Sequence, residues 1–261
     1  MKCPAAVLRE YLMTKKTNTA FAAIALLVFI GAAPSFGQWL VDFENGLAVS
    51  GYNDVRIPGD TGTLFSLSEE LTTDPGYYFR IRLGYRWKSR HTISAFAAPL
   101  TLHAAGSVDR EILFNGDTFA PNVPLTGRYT FNSYRLTYRY DFVRKAKWQV
   151  GAGLTVKIRD AGIGLEGGGT SSEKTNVGVV PLINFRVLWQ FHERWGILLD
   201  GDAAAAKQGR AEDVQLALQY RLNDRLTLRA GYRILEGGAN VEEAYNFALI
   251  HFFGAGLHYM F

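Results

Sequence analysis

The chain has 261 residues, of which 48% are hydrophobic, 20% charged and 13% aromatic, and its formal net charge is +4 at pH 7. This composition excludes an intrinsically disordered chain and a collagen-like polymer. A β-rich soluble protein and a transmembrane β-barrel can both have such a composition, so the pattern along the chain has to distinguish them.

Residues 1–37 have the order of a secretory signal peptide, with Met13 as an alternative start. Two lysines precede an uncharged apolar run over 20–33, and small residues follow the run. The run is shorter than the roughly 20 residues of a transmembrane helix. We therefore predict a cleaved signal peptide over 1–37 and a single mature domain over 38–261.

The predicted mature chain carries 24 basic and 23 acidic side chains, because residues 1–37 contain four of the 28 basic and one of the 24 acidic ones. A net charge of +1 gives no reason to expect nucleic acid as a partner. The single cysteine, Cys3, lies in the presequence. This excludes a disulfide framework and a thiol mechanism in the mature protein.

Alternation with a period of two residues dominates the mature chain and is typical of β-strands. In 78–87, aromatic and aliphatic side chains occupy one face and three arginines the other, and the same division recurs in 133–142 and 148–159. In the segment 91–104, Pro99 interrupts the alternation, and we interpret it as a bulge that resets the register. Ten segments are predicted, with eight or twelve as alternatives: 39–50, 76–88, 91–104, 127–142, 146–161, 177–191, 194–205, 211–222, 225–236 and 245–261.

The connections alternate in length. Short polar turns are predicted at 88–91, 143–147, 191–194 and 222–225. Longer connections rich in Gly, Asp, Asn and Pro are predicted at 51–75, 105–126, 161–176, 206–211 and 237–244. Short turns at one end, long loops at the other and strands of about ten to fifteen residues are typical of a transmembrane barrel. We therefore predict an all-β fold, an antiparallel up-and-down transmembrane β-barrel with both termini at the periplasmic end.

The last segment carries its apolar side chains on one face and closes on Leu257, Tyr259 and Phe261. Behind a signal peptide and alternating strands, this ending resembles the assembly signal of Gram-negative outer-membrane β-barrel proteins. The resemblance implies insertion by the barrel-assembly machinery and a place in the outer membrane, with its lipid and lipopolysaccharide as surroundings. It implies no particular activity.

Large aromatic side chains gather within a few residues of the short turns. They are Trp87, Tyr140, Phe142, Trp148, Trp189, Phe191, Trp195, Tyr259 and Phe261. They predict an aromatic belt at the periplasmic membrane interface.

If the apolar parity faces lipid, the opposite parity places eleven cations and six anions in the lumen. The cations are Arg80, Arg82, Arg86, Arg135, Arg139, Lys157, Arg159, Arg186, Arg221, Arg229 and Arg233, and the anions are Asp42, Glu44, Asp141, Asp200, Asp202 and Asp213. One interpretation is a network of paired charges that fills a narrow lumen. The other is an anion-preferring channel lined by unpaired arginines.

Asp200 and Asp202 are the best candidates for acid–base chemistry, because residues two apart on a strand share a face. Ion pairs with Arg186 and Arg221 on the flanking strands are the alternative. Outer-membrane proteases of the omptin type also resemble ten-stranded barrels, and they need acidic residues with a histidine near the outer rim. No histidine can be placed beside Asp200 or Asp202.

His251 and His258 are seven residues apart on one strand and face opposite sides, so they cannot form a metal pair. We predict no catalytic residues, no metal and no cofactor. The expected function is envelope structure or surface binding of an unidentified extracellular ligand. A narrow anion-preferring channel and an envelope hydrolase are the alternatives.

Overall fold

A computed structural model of the protein describes residues Gly37–Phe261. The predicted signal peptide lies outside these residues except for Gly37, which begins the first strand. Among the described residues, no helix is long and apolar enough to cross a membrane.

Ten long antiparallel strands form one closed barrel. They are β1 (Gly37–Arg56), β2 (Gly76–Trp87), β3 (His91–Ala98 and Thr101–Gly106), β4 (Leu125–Arg144), β5 (Trp148–Gly167), β6 (Thr170–Gln190), β7 (Trp195–Ala206), β8 (Gly209–Arg221), β9 (Leu226–Val241) and β10 (Ala244–Met260). Each strand pairs with its neighbours along the chain, and β1 pairs with β10 from Leu40 opposite Met260 to Arg56 opposite Tyr245. This last pairing closes the sheet into a barrel, although β6 pairs with β7 only from Ile183 to Gln190. The predicted fold class and the count of ten strands are confirmed.

The period-two alternation sorts side chains to the two sides of the barrel wall. On β2, Tyr77 and Phe79 are 65% and 42% exposed, whereas Arg80 between Phe79 and Ile81 is 4% exposed. Aliphatic side chains are likewise more than half exposed around the wall, among them Leu47, Leu136, Leu154, Val179, Ile183 and Leu216. A continuous apolar exterior around buried charges suits lipid, because such a patch is unfavourable in water.

Pro99 interrupts the ladder of β3 but does not reset its register, so the predicted bulge is wrong. Ala98 pairs with Ser133 and Thr101 with Thr130, so the same offset holds on both sides of the break. Even-numbered side chains stay inward from Thr92 to Ala104. The apolar residues beyond the proline point inward because that part of the lumen is itself apolar.

The predicted long connection at 161–176 is also wrong. β5 and β6 pair without interruption to Gly167 opposite Thr170, and the turn consists of Gly168 and Gly169, with φ of +58° and +84°. Glycine suits these left-handed conformations. The connections at 206–211 and 237–244 also shorten, to 207–208 and 242–243.

Two long connections remain, 57–75 and 107–124, and together they form what we term the cap. The cap holds four short strands: Phe65–Ser66, Leu71–Thr73, Ile112–Phe114 and Asp117–Phe119. The first pairs with β1 and the second with β3, while the last two form a hairpin. The cap lies at what we term the loop end of the barrel, and the turns 88–90, 145–147, 191–194 and 222–225 define the opposite, short-turn end.

Candidate functional site

Paired charges fill the part of the lumen nearer the short turns. At their centre is Asp213, which accepts hydrogen bonds from Arg80 at 2.8 Å, from Arg233 at 2.5 Å and from Arg135. Arg135 also donates to Asp202 at 2.7 Å. All five side chains are buried, so Asp213 and Arg135 link strands on opposite sides of the lumen without contact with solvent.

Glu44 on β1 is a second centre of this network. Its carboxylate accepts from Arg233 at 2.9 and 3.0 Å, from Arg229 at 3.2 Å, from the Tyr78 hydroxyl at 3.1 Å and from the Gln215 amide at 2.9 Å. A carboxylate can accept about four hydrogen bonds, so Glu44 is saturated. Sequence reasoning missed Tyr78 and Gln215, although both have the inward parity.

Asp42 lies nearer the short turns than Glu44. It pairs with Arg229 at 2.5 Å, and the His258 ring nitrogen lies 3.3 Å from its carboxylate. His251, seven residues from His258, lies 2.6 Å from the Tyr232 hydroxyl. Each histidine therefore has a polar partner of its own.

Asp202, one member of the candidate acid–base pair, accepts hydrogen bonds from both neutral and cationic donors. The Thr155 hydroxyl donates to it at 2.7 Å and the Asn184 amide at 2.9 Å, in addition to Arg135. Asp202 is 1% exposed. A carboxylate so saturated and buried presents no free oxygen to a substrate.

Asp200, the second member, lies among three guanidinium groups. Its oxygens are 3.5 Å from Arg82, 3.6 Å from Arg186 and 3.9 Å from Arg139. The predicted partner Arg186 is therefore present, whereas Arg221 is exposed at the short-turn end. Arg139 also pairs with the last of the predicted anions, Asp141, at 2.9 Å.

All six predicted anions are thus paired, as are seven of the predicted cations: Arg80, Arg82, Arg135, Arg139, Arg186, Arg229 and Arg233. We term these thirteen residues the charge network. The remaining four cations have other surroundings. Arg86 donates to the Met260 sulfur at 3.5 Å, Lys157 lies 4.8 Å from the centre of the Phe131 ring, and Arg159 donates to the Asn176 side chain. Arg221 continues the inward parity of β8 but, as its last residue, lies beyond the filled lumen.

Towards the loop end the interior becomes apolar. Fourteen wall residues with the inward orientation pack against eight from the cap, and we term this set the apolar cluster. The cap members are Ile57, Phe65, Leu67, Leu71, Val108, Ile112, Phe114 and Phe119. The rings of Phe65 and Phe114 meet edge to face with centroids 6.0 Å apart, and Phe252 meets Tyr78 similarly at 4.7 Å.

Backbone hydrogen bonds hold the cap to itself and to the wall. The Thr63 amide donates to the Leu113 carbonyl at 2.9 Å, which joins its two loops. The Leu67 and Asp74 amides donate to wall carbonyls at 2.8 and 2.9 Å. The cap is therefore a folded lid that is tied to the wall at the barrel mouth.

An ion pair across the cap adds to these bonds. Arg110 lies 2.5 Å from Glu70 and also donates to the Leu64 carbonyl at 2.8 Å. The hydrogen bond from Arg110 lowers the pKa of the Glu70 carboxyl below its ordinary value. Glu70 therefore stays ionised in mildly acidic solution and keeps the two loops paired.

The junction between the charge network and the apolar cluster contains little empty space. The cavity there is lined by Arg80, Arg135, Phe131 and Phe252, among others, and has a volume of about 10 Å³. A cavity of that size has room for about one water molecule. The charge network and the apolar cluster therefore meet at this small cavity.

The C-terminal residues lie on the outside of the wall at the short-turn end. Leu257 is 37% exposed, and the rings of Tyr259 and Phe261 meet edge to face at 4.9 Å. The Phe261 amide donates to the Trp39 carbonyl at 3.0 Å, which ties the end of the chain to β1. Their role as an assembly signal stays a prediction.

No group of three or more His, Cys, Asp or Glu side chains within Gly37–Phe261 has the arrangement of a metal site. Each acidic side chain of the charge network lies within 4 Å of at least one guanidinium group.

Comparison with known proteins identifies the fold. No protein-family model and no curated protein sequence matches this chain. Among solved structures, the outer-membrane protease OmpT of Escherichia coli is similar with a TM-score of 0.55 and 9% identity, over 89% of this chain and 99% of that chain. Ail of Yersinia pestis has a TM-score of 0.39 at 9% identity (85% and 99% covered), and Neisserial surface protein A has 0.36 at 15% (85% and 97%). The predicted fold, that of a small Gram-negative outer-membrane β-barrel, is confirmed. Sequence identities this low support no inference about activity.

Proposed function

We propose that this protein is an integral outer-membrane barrel with a closed interior, which supports the envelope and presents its cap as a surface for contact. The observation that carries the proposal is the continuous filling of the lumen by the charge network and then by the apolar cluster. A solute would have to break one of these to pass. The barrel then offers binding surfaces at its two ends and no path for a solute between them.

The geometry of the charge network supports a structural role. Arg80 on β2 reaches Asp213 on β8, Arg135 on β4 reaches Asp202 on β7, and each of these pairs crosses the lumen. Removal of one partner would leave a buried charge uncompensated, which costs about 3–5 kcal/mol. The network therefore fastens distant strands and favours a single, rigid barrel.

A narrow anion-preferring channel is the second candidate, and one observation favours it. Lys157 is 3% exposed, and within the described residues no carboxylate oxygen lies within 4 Å of its amine. A lumen cation without a contacting carboxylate attracts anions. The surrounding apolar cluster and cap nevertheless support the closed form.

Single-channel recording of the refolded chain 38–261 in a planar bilayer tests both candidates. We expect no conductance from protein whose folding has been verified by heat-modifiable mobility on a gel. Steady anion-selective steps that shrink in Arg80→Gln or Arg135→Gln would overturn the closed barrel and establish the channel.

The contacts of Asp200 and Asp202 give no support to a hydrolase. Asp202 is buried among guanidinium, hydroxyl and amide donors, and Asp200 is buried among three guanidinium groups. We expect the double variant Asp200→Asn/Asp202→Asn to match the wild type in hydrolase screens and to differ from it in stability. Loss of a hydrolytic activity that the wild type possesses would overturn this.

A further inference from the structure

The two ends of the barrel carry opposite charge. The connections at the loop end contain nine acidic and two basic side chains, a net charge of −7. The four short turns contain six basic and two acidic side chains, a net charge of +4. The strand ends Arg144 and Arg221 add two cations there, and the strand end Arg56 adds one at the loop end. An anionic partner is therefore attracted to the short-turn end and repelled at the other.

Three of the short turns lie side by side. The Gln190 amide donates to the Lys147 carbonyl at 2.8 Å, and the Arg221 amide donates to the Arg194 carbonyl at 2.7 Å. The turns surround an open groove of about 780 Å³. Its charged and titratable lining consists of Lys147, His192, Glu193, Arg194, Arg221 and Asp224.

The cations of this groove form no direct ion pair with the described residues of the barrel. Among the described residues, no carboxylate oxygen lies within 4.0 Å of Lys147, Arg194 or Arg221. Arg194 has a neutral partner, the Tyr220 hydroxyl, at 3.3 Å. The groove therefore presents a positive surface with donors free for an external anion.

An aromatic belt places this groove at the level of lipid headgroups. Trp148 follows Lys147 in the chain and stacks on Trp189 at 5.7 Å, and Trp195 follows Arg194 and packs on Tyr220 at 4.7 Å. Exposed tryptophans on a barrel exterior lie at the membrane–water interface. Turns of three or four residues cannot carry their cations far beyond that level.

We propose that this groove binds the anionic phosphodiester headgroup of a phospholipid of the phosphatidylglycerol class, in the periplasmic leaflet. The two guanidinium groups donate to the phosphate oxygens and the Lys147 ammonium adds a point charge. A zwitterionic headgroup fits less well, because the three cations that repel its ammonium group outnumber the two carboxylates of the groove, Glu193 and Asp224, that attract it.

Native mass spectrometry of the refolded chain 38–261 in zwitterionic detergent tests the proposal. Dioleoyl-phosphatidylglycerol and dioleoyl-phosphatidylethanolamine are titrated separately, and the fraction of protein that retains lipid is measured. We expect the phosphatidylglycerol affinity of Lys147→Gln/Arg194→Gln/Arg221→Gln to fall by about tenfold or more. The matched control Arg128→Gln/Lys174→Gln/Lys207→Gln removes three cations near the loop end and should bind as the wild type does.

Several results would overturn the proposal. Equal retention of the two lipids, or unchanged retention in the groove variant, would remove the site. Displacement of phosphatidylglycerol by millimolar inorganic phosphate would assign the groove to free phosphate, and tighter binding of an acidic cell-wall muropeptide would assign it to the cell wall. A groove variant that lost its heat-modifiable mobility would be replaced by the single variant Arg221→Gln, whose predicted loss of affinity is smaller but in the same direction.

Discussion

The two parts of the barrel interior have the same strands and the same inward parity but opposite chemistry. On β2, Arg80 belongs to the charge network, and two residues further towards the loop end Tyr78 belongs to the apolar cluster. On β4 the change occurs between Arg135 and Tyr129, and on β9 between Arg233 and Leu235. Inward orientation therefore does not decide whether a side chain is polar or apolar. The cover over each part of the lumen decides it.

The cap explains the difference. At the loop end it supplies eight apolar side chains, so inward residues there can be apolar and still be buried. Within Gly37–Phe261 no such lid covers the short-turn end, where the connections have only three or four residues. Inward side chains near that end contact either water or one another. Charged side chains suit both surroundings, because they are solvated by water and form ion pairs where they are buried.

Arg80 lies at the junction and has features of both parts. Its guanidinium pairs with Asp213 and also lies 4.6 Å from the centre of the Phe252 ring and 5.9 Å from that of Tyr78. A cation over an aromatic face is stabilised by the ring quadrupole. A charged group is thereby accommodated next to an apolar filling.

The largest effect is expected when the centre of the charge network is removed. Asp213→Ala leaves three buried guanidinium groups without this carboxylate, so we expect a loss of about 4 kcal/mol in the free energy of unfolding. Urea unfolding of the protein in lipid vesicles, followed by tryptophan fluorescence, measures it. Asp224→Ala, an acidic residue in a short turn, is the control and should cost less than about 0.5 kcal/mol. A similar small cost for both would show that the network does not fasten the barrel.

An intermediate effect is expected from a cavity in the apolar cluster. Leu71→Ala truncates a side chain that is 1% exposed, and we expect it to destabilise the cap by about 3 kcal/mol. Cleavage of the cap by a protease at increasing urea concentration measures this local stability. Leu64→Ala, in the same loop but at a side chain 49% exposed, provides the comparison and should change little. Equal sensitivity of the two variants would contradict a packed cap.

The smallest effect concerns the pH dependence of the cap. The pKa of Glu70 is lowered in the folded protein, so its pair with Arg110 contributes fully above the ordinary pKa of about 4.3. The contribution is lost as the pH falls through the lower folded pKa. Because both side chains are about one-third or more exposed, solvent screening limits it to about 0.5 kcal/mol.

Protease resistance of the cap between pH 6 and pH 3 tests this sign. We expect the protease resistance of the wild type to fall as the pH approaches 3. The resistance of Glu70→Gln should be lower at pH 6 and should change less with pH. Glu69→Gln changes the neighbouring carboxylate and should keep the wild-type profile. Resistance that rises in the wild type as the pH falls would contradict the assignment.

Parity and strand number could be predicted from sequence because they are local properties. Every predicted segment overlaps one barrel strand, since apolar and polar side chains alternate within each of them. The predictions were wrong at positions where they rested on residue composition and not on the alternation of apolar and polar side chains. The glycines and small polar residues of 161–176 predict a loop, although Ile163 and Leu165 are buried in the apolar cluster. Leu100 beyond Pro99 predicts a change of register, although the pairing with β4 keeps the same offset.

The alternation in the sequence is sufficient to assign side chains to the outside or to the lumen, because a strand turns successive residues to opposite sides whatever it pairs with. The ion-pair partners within the lumen depend on the closed barrel. Asp213 meets Arg80, 133 residues away in the chain, because closure of β1 on β10 brings β2 and β8 across one narrow lumen. The same closure made the two long loops a cap, since their apolar side chains are shielded from water only where the ring of strands leaves an apolar mouth to cover.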